Sequence, residues 1–149
     1  SSWAKAERVG LAVLDGRFGG MAARDSATLA EVLHPEAVLQ RWPRVDGVWR
    51  THSLPGEQFI AEVGAGGTPY TERIWSPQFA RAGEVMTVVA PYDFWVNGAL
   101  SHCGVDAVTL LPGADGAWQV MGLVYTVEGQ TPSDCALRFP HQPAAPPDR

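Results

Sequence analysis

The chain has 149 residues, of which 46% are hydrophobic and 18% charged, and its formal net charge is −5. This length and composition are typical of one globular domain and exclude an intrinsically disordered chain. One lysine stands against ten arginines, with no basic cluster. A nucleic-acid partner is therefore not expected, because it would require several cations on one face. No run of 18 apolar residues is present, so no membrane-spanning helix is predicted.

The first part of the chain predicts helices. A helix is expected from about Trp3 to Arg24, where Phe18 and other apolar residues recur near helical spacing. A short second helix is expected to begin at Asp25 or Ser26, both of which suit an N-cap, and to run through Leu33. After a strand near residues 37–42, a third helix is expected, capped by Ser53 and ended by the glycines at 64–67.

From residue 70 the hydrophobic pattern changes to period two, which predicts strands at about 70–80, 84–96, 99–111 and 117–128. Helices followed by an antiparallel meander predict an α+β fold in which the helices pack on one face of a curved sheet. Residues 1–138 are expected to form this one domain. Four prolines in residues 139–149 predict an extended tail.

The hairpin centred on Asn97-Gly98 carries the candidate site. Asn-Gly suits a two-residue type I′ turn, and a two-residue loop places Asp93 directly opposite His102. Asp106 lies four residues beyond His102 on the same strand, hence about 13 Å away on the same face. Gly104 lies between them without a side chain, and Gly122 is expected opposite it on the last strand. The room that these two glycines leave predicts a pocket.

Structural roles compete with this interpretation. A His–Asp pair across a hairpin is also compatible with a satisfied structural pair, and Asp106 with a bond to a backbone amide. A register slip of one residue would turn the whole set to the other face. For Cys103 and Cys135, a disulfide and two free thiols both stay open, and a disulfide would indicate an oxidising compartment.

Three segments carry a family resemblance: RDSATLAEVLHPEAVL (24–39), APYDFWVNGALSHCGVDAVTLL (90–111) and DGAWQVMGLVYTV (115–127). Over residues 5–130 the chain resembles the nuclear transport factor 2-like (NTF2-like) superfamily, and within it the SnoaL-like bacterial branch. The resemblance implies a cone-shaped, curved antiparallel sheet wrapped around N-terminal helices, with an internal apolar pocket. It also implies a homodimer that needs no cofactor. Steroid isomerases, dehydratases, polyketide cyclases and binding modules are among such proteins.

Individual positions narrow the activity that the resemblance implies. In ketosteroid isomerases of this superfamily, a carboxylic acid that donates a hydrogen bond occupies the position of Asp106. The position of their general base matches about Arg41, and that of their tyrosine matches Arg17 or Phe18, so steroid isomerisation is not expected. Epoxide hydrolysis is not expected either, because Gly104 stands where those enzymes need an arginine. A histidine near a carboxylate resembles the dehydratases and cyclases.

We therefore expect a cofactor-free enzyme that moves a proton on a small hydrophobic oxygenated molecule, by isomerisation, dehydration or cyclisation. His102 is the expected general acid or base, Asp93 its orienting partner, and Asp106 the oxyanion donor or second acid. The expected substrate-binding residues are Trp42, Trp49, Trp75, Trp95, Phe18 and Arg41. The alternatives are a non-catalytic carrier of a hydrophobic ligand and a protein-interaction module that uses the outer face of the sheet.

The sequence constrains metal binding, the oligomeric state and the cellular location less strongly. His34, His52 and His141 lack metal-binding spacing, so no metal site is predicted. A homodimer is expected because both faces of the predicted sheet are apolar. A cytoplasmic location is expected, although Ser1 as the first residue leaves a removed signal peptide open.

Overall fold

The computed structural model describes residues 8, 10, 14, 19, 23 and 25–147. Within residues 25–147 the chain forms three helices and eight strands. In chain order they are α1 (Ser26–Val32), β1 (Leu33–Val45), β2 (Val48–Trp49), β3 (His52–Pro55), α2 (Gly56–Gly64), β4 (Tyr70–Ile74), β5 (Gln78–Ala82), β6 (Val85–Val96), β7 (Ala99–Pro112), β8 (Trp118–Val127) and α3 (Pro132–Arg138). The predicted α+β class is confirmed. The helix predicted over Trp3–Arg24 lies mostly outside the described residues. None of the described helices is long and apolar enough to cross a membrane.

The strands form one curved, open sheet in the order β2-β1-β8-β7-β6-β4, with β3 paired to β1 and β5 paired to β6. The pairs among β4 to β8 are antiparallel, as the sequence predicts. Strand β1, however, pairs with β8 in parallel, with Val38 beside Gly122. The sheet is therefore mixed rather than wholly antiparallel, because the last strand, β8, lies beside β1 and runs in the same direction.

The starts of α1 and α2 show where the local sequence predicts a helix boundary correctly and where it does not. Asp25 caps α1 as predicted, since its carboxylate accepts two first-turn amides at 3.1 and 3.2 Å. The predicted Ser53 cap of the next helix is wrong. Ser53 lies in β3, where it pairs with Gln40 of β1, and α2 begins only after Pro55. A pairing between distant segments has thus overridden the capping preference of Ser53.

The strand predicted over residues 70–80 is divided in two. Ser76 adopts a φ of 46°, and Pro77 has no amide proton to donate to a neighbouring strand. Pairing with β6 therefore stops after Ile74 and resumes at Gln78. Helix α3 is absent from the sequence-based prediction; Thr131 caps it through its side-chain oxygen.

The hairpin between β6 and β7 turns as predicted but contains one extra residue. Asn97 and Gly98 have φ values of 51° and 79°, which a type I′ turn requires. The two pairs next to the turn follow a two-residue loop. Beyond them Ser101 has no partner in the register, and Phe94 pairs with His102. Ser101 therefore forms a one-residue β-bulge.

The bulge changes the partner of every later residue of β7. Asp93 lies opposite Cys103 rather than His102. The predicted Asp93–His102 pair is therefore wrong, because turn chemistry fixes only the first pairs of a hairpin and does not reveal a bulge. His102 and Asp106 do share one face, as predicted, and Tyr92 shares it with them.

The inner face of the sheet carries the apolar core. The buried core residues are Leu14, Leu33, Ala37, Leu39, Met86, Val88, Val108, Leu110, Val120 and Leu123. Helix α2 packs on β1 through Phe59 and Ile60, which contact this core. Tyr70 of β4, together with Tyr92 and Phe94 of β6, lines the cavity described below.

On the outer face, a disulfide between Cys103 and Cys135 joins β7 to α3. Both half-cystines are completely buried. Gly129 lies against them, and a Cβ on it would be 2.8 and 2.9 Å from the two sulfur atoms. The sequence left this pairing open; the structure shows the bond.

Asp93 anchors the C-terminal segment to the outer face. Its carboxylate is completely buried and accepts hydrogen bonds from Arg73 Nε at 3.0 Å and from the Gln142 amide at 2.9 Å. Arg73 also donates to the carbonyls of Pro143 and Ala145. Asp93 therefore has a structural environment, away from the cavity described below.

Gly104 does not provide the room that the sequence suggested. A Cβ there would overlap the carbonyl group of Thr126, so the absent side chain allows the two backbones to approach closely. Gly122 has open space around it, but it lines a shallow depression beside Val38 and Val124 rather than the cavity around His102. The two glycines therefore do not form a pocket together.

Candidate functional site

A cavity of about 470 Å³ lies between the inner face of the sheet and helix α2. This volume is within the range of about 300–1,000 Å³ that small-molecule sites occupy. The lining combines apolar and aromatic side chains with a few polar groups: Leu39, Arg41, His52, Ser53, Leu54, Phe59, Glu62, Tyr70, Glu72, Tyr92, Phe94, His102 and Tyr125. A largely apolar molecule with a small number of polar groups would match this lining.

The imidazole of His102 is held in the cavity wall by two aromatic rings. The Phe94 ring stacks on it with centroids 5.0 Å apart, and the Tyr92 ring meets it edge-on at 5.7 Å. Its Nδ1 lies 2.9 Å from the Ser101 hydroxyl oxygen. No other side-chain hydrogen bond joins the imidazole of His102 to the described residues, so Nε2 is the ring nitrogen available to a ligand.

Burial keeps this imidazole neutral. The pKa of His102 is lowered to about 4, mainly by desolvation and also by the Arg41 guanidinium, while the Glu72 carboxylate opposes the shift. At pH 7 the ring therefore carries no charge and offers one donor and one acceptor. A neutral imidazole in an apolar site is suited to hydrogen-bond a carbonyl or hydroxyl oxygen.

Glu72 is a cavity carboxylate that the sequence interpretation missed. It is only 8% exposed. It pairs with Phe94 across β4 and β6, and Phe94 pairs with His102 across β6 and β7. The backbones of Glu72 and His102 are therefore two strand spacings apart, about 10 Å. The available signal was a charged residue at an inward position of the alternating segment Tyr70–Ile74.

Tyr92 contributes a protonated hydroxyl. It donates a hydrogen bond of 2.6 Å to the Thr126 carbonyl. Burial raises the pKa of Tyr92 well above its usual value, and the charges of Asp106 and Glu72 add to the rise. Asp106 is 3% exposed and pairs with Tyr125, but it does not line the cavity. Asp106 would therefore affect a ligand only indirectly, through Tyr92 and Tyr125, which line the cavity.

Of the predicted substrate-binding residues, only Arg41 is found in the cavity lining among the described residues. Four tryptophans do not line it: Trp42, Trp49, Trp75 and Trp95. Phe18 lies outside the described residues. Trp75 contacts Phe139 of the C-terminal segment edge-on, and the Trp95 ring lies 5.6 Å from the Arg73 guanidinium. Aromatic size alone therefore did not indicate which face each side chain occupies. Within the described residues, no cluster of three or more His, Cys, Asp or Glu side chains could hold a metal ion.

Solved structures with the same fold include an NTF2-like protein from Cytophaga hutchinsonii, at a TM-score of 0.68 and 14% identity over 82% of this chain and 98% of that one. A candidate dehydratase of the NTF2-like family from Streptomyces avermitilis has a TM-score of 0.63 and 15% identity, over 86% and 99% of the two chains. The beta subunit of a candidate aromatic-ring-hydroxylating dioxygenase from Novosphingobium aromaticivorans has a TM-score of 0.69 and 8% identity, over 86% and 92%.

No protein-family profile matches the chain, and no curated protein matches it. The structural likeness nevertheless covers most of each compared chain. The chain therefore has the NTF2-like fold, which confirms the fold that the sequence resemblance implies. The SnoaL-like branch stays a prediction, because identities of 8–15% carry the fold alone.

Proposed function

We propose that this protein binds a small, largely apolar molecule bearing a carbonyl or hydroxyl group in the cavity, and catalyses a proton transfer on it. The observation that carries the proposal is the presence of a neutral imidazole, His102, and a buried carboxylate, Glu72, in one aromatic cavity. Similar cavities serve many chemistries, so the proposal depends on these two groups rather than on the fold.

The two groups divide the work of enolisation. The Glu72 carboxylate accepts a proton from the carbon beside a carbonyl, and the electron pair of that bond moves onto the carbonyl oxygen. The Nε2–H of His102 donates a hydrogen bond to that oxygen as its negative charge develops. Return of the proton from Glu72 to another carbon isomerises the molecule. If the enolate instead expels a hydroxyl group from the next carbon, that group takes up the proton held by Glu72 and leaves as water.

These roles differ from those that the sequence suggested. Asp93 is bonded to Arg73 on the outer face, so Glu72 takes the place of the carboxylate partner. Asp106 acts indirectly, because its charge helps to raise the pKa of the Tyr92 hydroxyl in the cavity wall. Arg41 lines the cavity and is exposed, so it suits an oxygen atom or anionic group at the solvent end of the ligand.

The structural neighbours support small-molecule chemistry in general. One is named as a candidate dehydratase and another as a subunit of a candidate dioxygenase. A carrier is the second candidate function, favoured by one observation: apolar and aromatic side chains make up most of the cavity lining. A carrier needs the cavity but no proton transfer.

Hydrogen–deuterium exchange at carbon distinguishes the two candidates. One- and two-ring ketones are incubated with the protein in D2O, and exchange beside the carbonyl is followed by proton NMR. We expect catalysed exchange that falls at least tenfold in His102→Gln and in Glu72→Gln. Glu57→Gln, an exposed carboxylate on α2, is the matched control and retains exchange.

Binding is measured on the same ketones by ligand-observed NMR. Ketones that bind but do not exchange would favour the carrier. Ketones that neither bind nor exchange would contradict both functions.

We also propose that a second copy of the chain covers the outer face of the sheet. Four valines there are 39–44% exposed: Val38, Val85, Val89 and Val124. Such a group of exposed apolar side chains is typical of an interaction surface. Sedimentation should therefore report a dimer, and Val89→Glu should dissociate it. A monomeric wild-type protein would instead favour a different partner or a bare face.

A further inference from the structure

The bulge residue Ser101 decides which face His102 occupies. With uninterrupted pairing His102 would lie opposite Asp93, on the face where Arg73 already binds that carboxylate. The extra residue shifts the register by one, so His102 pairs with Phe94 and enters the cavity wall. Bulges beside active sites commonly redirect a side chain in this way.

The bulge also brings two adjacent side chains together. In a regular strand, consecutive side chains point to opposite faces and do not meet. Here the Ser101 hydroxyl oxygen lies 2.9 Å from His102 Nδ1. This contact fixes the ring orientation, because Phe94 and Tyr92 already confine the imidazole on other sides.

The proton count indicates the direction of this hydrogen bond. Within the described residues, Nδ1 is the one acceptor that the Ser101 hydroxyl reaches. If Nδ1 carried the imidazole proton and donated it, the hydroxyl proton would have no such acceptor in a half-buried place, which is unfavourable. If the hydroxyl donates to Nδ1, the hydroxyl proton is used, and the imidazole proton lies on Nε2, the ring nitrogen that is open to a ligand in the cavity.

We propose that Ser101 is a positioning residue that donates to His102 Nδ1 and thereby holds the imidazole in the tautomer with its proton on Nε2. The tautomer itself is independent of any substrate, whereas its catalytic consequence rests on the proposed function. In that function Nε2–H is the group that meets the substrate oxygen. Ser101 touches no reacting atom and acts only through His102.

Nitrogen-15 NMR of the ligand-free protein tests the tautomer. We expect wild type to show one neutral form with the proton on Nε2, Ser101→Ala to show a mixture of both forms, and Ser101→Thr to restore the single form. Ser133→Ala, which removes an exposed hydroxyl on α3, is the control. A proton on Nδ1 in wild type, or an Ser101→Ala spectrum identical to that of wild type, would overturn the proposal.

If Ser101→Ala does not fold, Ser101→Gly takes its place in the comparison, and a proton on Nδ1 in wild type still overturns the proposal. Ketone exchange supplies the second readout: Ser101→Ala should lose roughly two- to tenfold, the worth of one ordinary hydrogen bond, and Ser101→Thr should recover it. A single Nε2–H tautomer in a protein that catalyses no exchange supports the assignment of Ser101 and counts against the proposed function. Unchanged exchange in Ser101→Ala, in a protein that does catalyse it, overturns the positioning role.

Discussion

The disulfide between Cys103 and Cys135 should contribute a large part of the stability of this domain. The two half-cystines are 32 residues apart, and their bond restricts the unfolded chain to a closed loop. For a loop of that length, the lost conformational entropy corresponds to about 4 kcal/mol at 25 °C. Since whole domains are stable by about 5–15 kcal/mol, reduction should lower the unfolding midpoint markedly.

Urea unfolding of oxidised and reduced wild type measures this contribution without changing any side-chain volume. The Cys103→Ala/Cys135→Ala variant, treated with the same reductant, is the control, because its midpoint should not respond. Amide exchange should also quicken in α3, which the disulfide joins to β7. Equal midpoints for the oxidised and reduced proteins, or a mass that shows two free thiols in the untreated protein, would refute the reasoning.

Three further changes test the fold and its pH dependence. Asp93→Asn should cost about 3 kcal/mol in unfolding free energy, because it breaks a buried ion pair; Asp134→Asn, in an exposed pair, should cost less than about 0.5 kcal/mol. Gly104→Ala should destabilise by about 1–3 kcal/mol through overlap with a backbone carbonyl, whereas Gly122→Ala, with open space around it, should be nearly neutral. Because the pKa of His102 is lower folded than unfolded, the unfolded chain binds more protons between pH 6.5 and 4. The free energy of unfolding should therefore fall on acidification, by at most about 2 kcal/mol from pH 7.5 to 5. This pH-dependent decrease should be absent from His102→Gln. Chemical denaturation checks all three, and equal losses within a matched pair would contradict the corresponding reason.

Local chemistry predicted the elements that depend on neighbouring residues. The Asp25 cap, the Asn97-Gly98 turn and the three period-two strands from residue 84 onward follow from short-range rules, and the structure confirms them. The Ser53 cap failed because pairing with Gln40 is a long-range contact. The parallel β1–β8 pair lies outside short-range patterns for the same reason.

The candidate site was half predictable. His102 and Asp106 were placed on one face because the alternation of a strand is reliable between bulges. The partner of His102 was wrong, since one unpaired residue at Ser101 exchanges Asp93 for Phe94. Glu72 was missed because its strand joins the site only through the pairing of β4 with β6.

An NMR titration of the His102 ring protons tests most directly whether the imidazole lies in the cavity or beside Asp93. The two environments shift the pKa in opposite directions: an apolar cavity lowers it, and a carboxylate neighbour raises it. With the signal assigned by comparison with His102→Gln, we expect a midpoint at about pH 4. A midpoint at or above the ordinary value of 6.5 would place His102 beside an anion or in water, and would contradict the site described above.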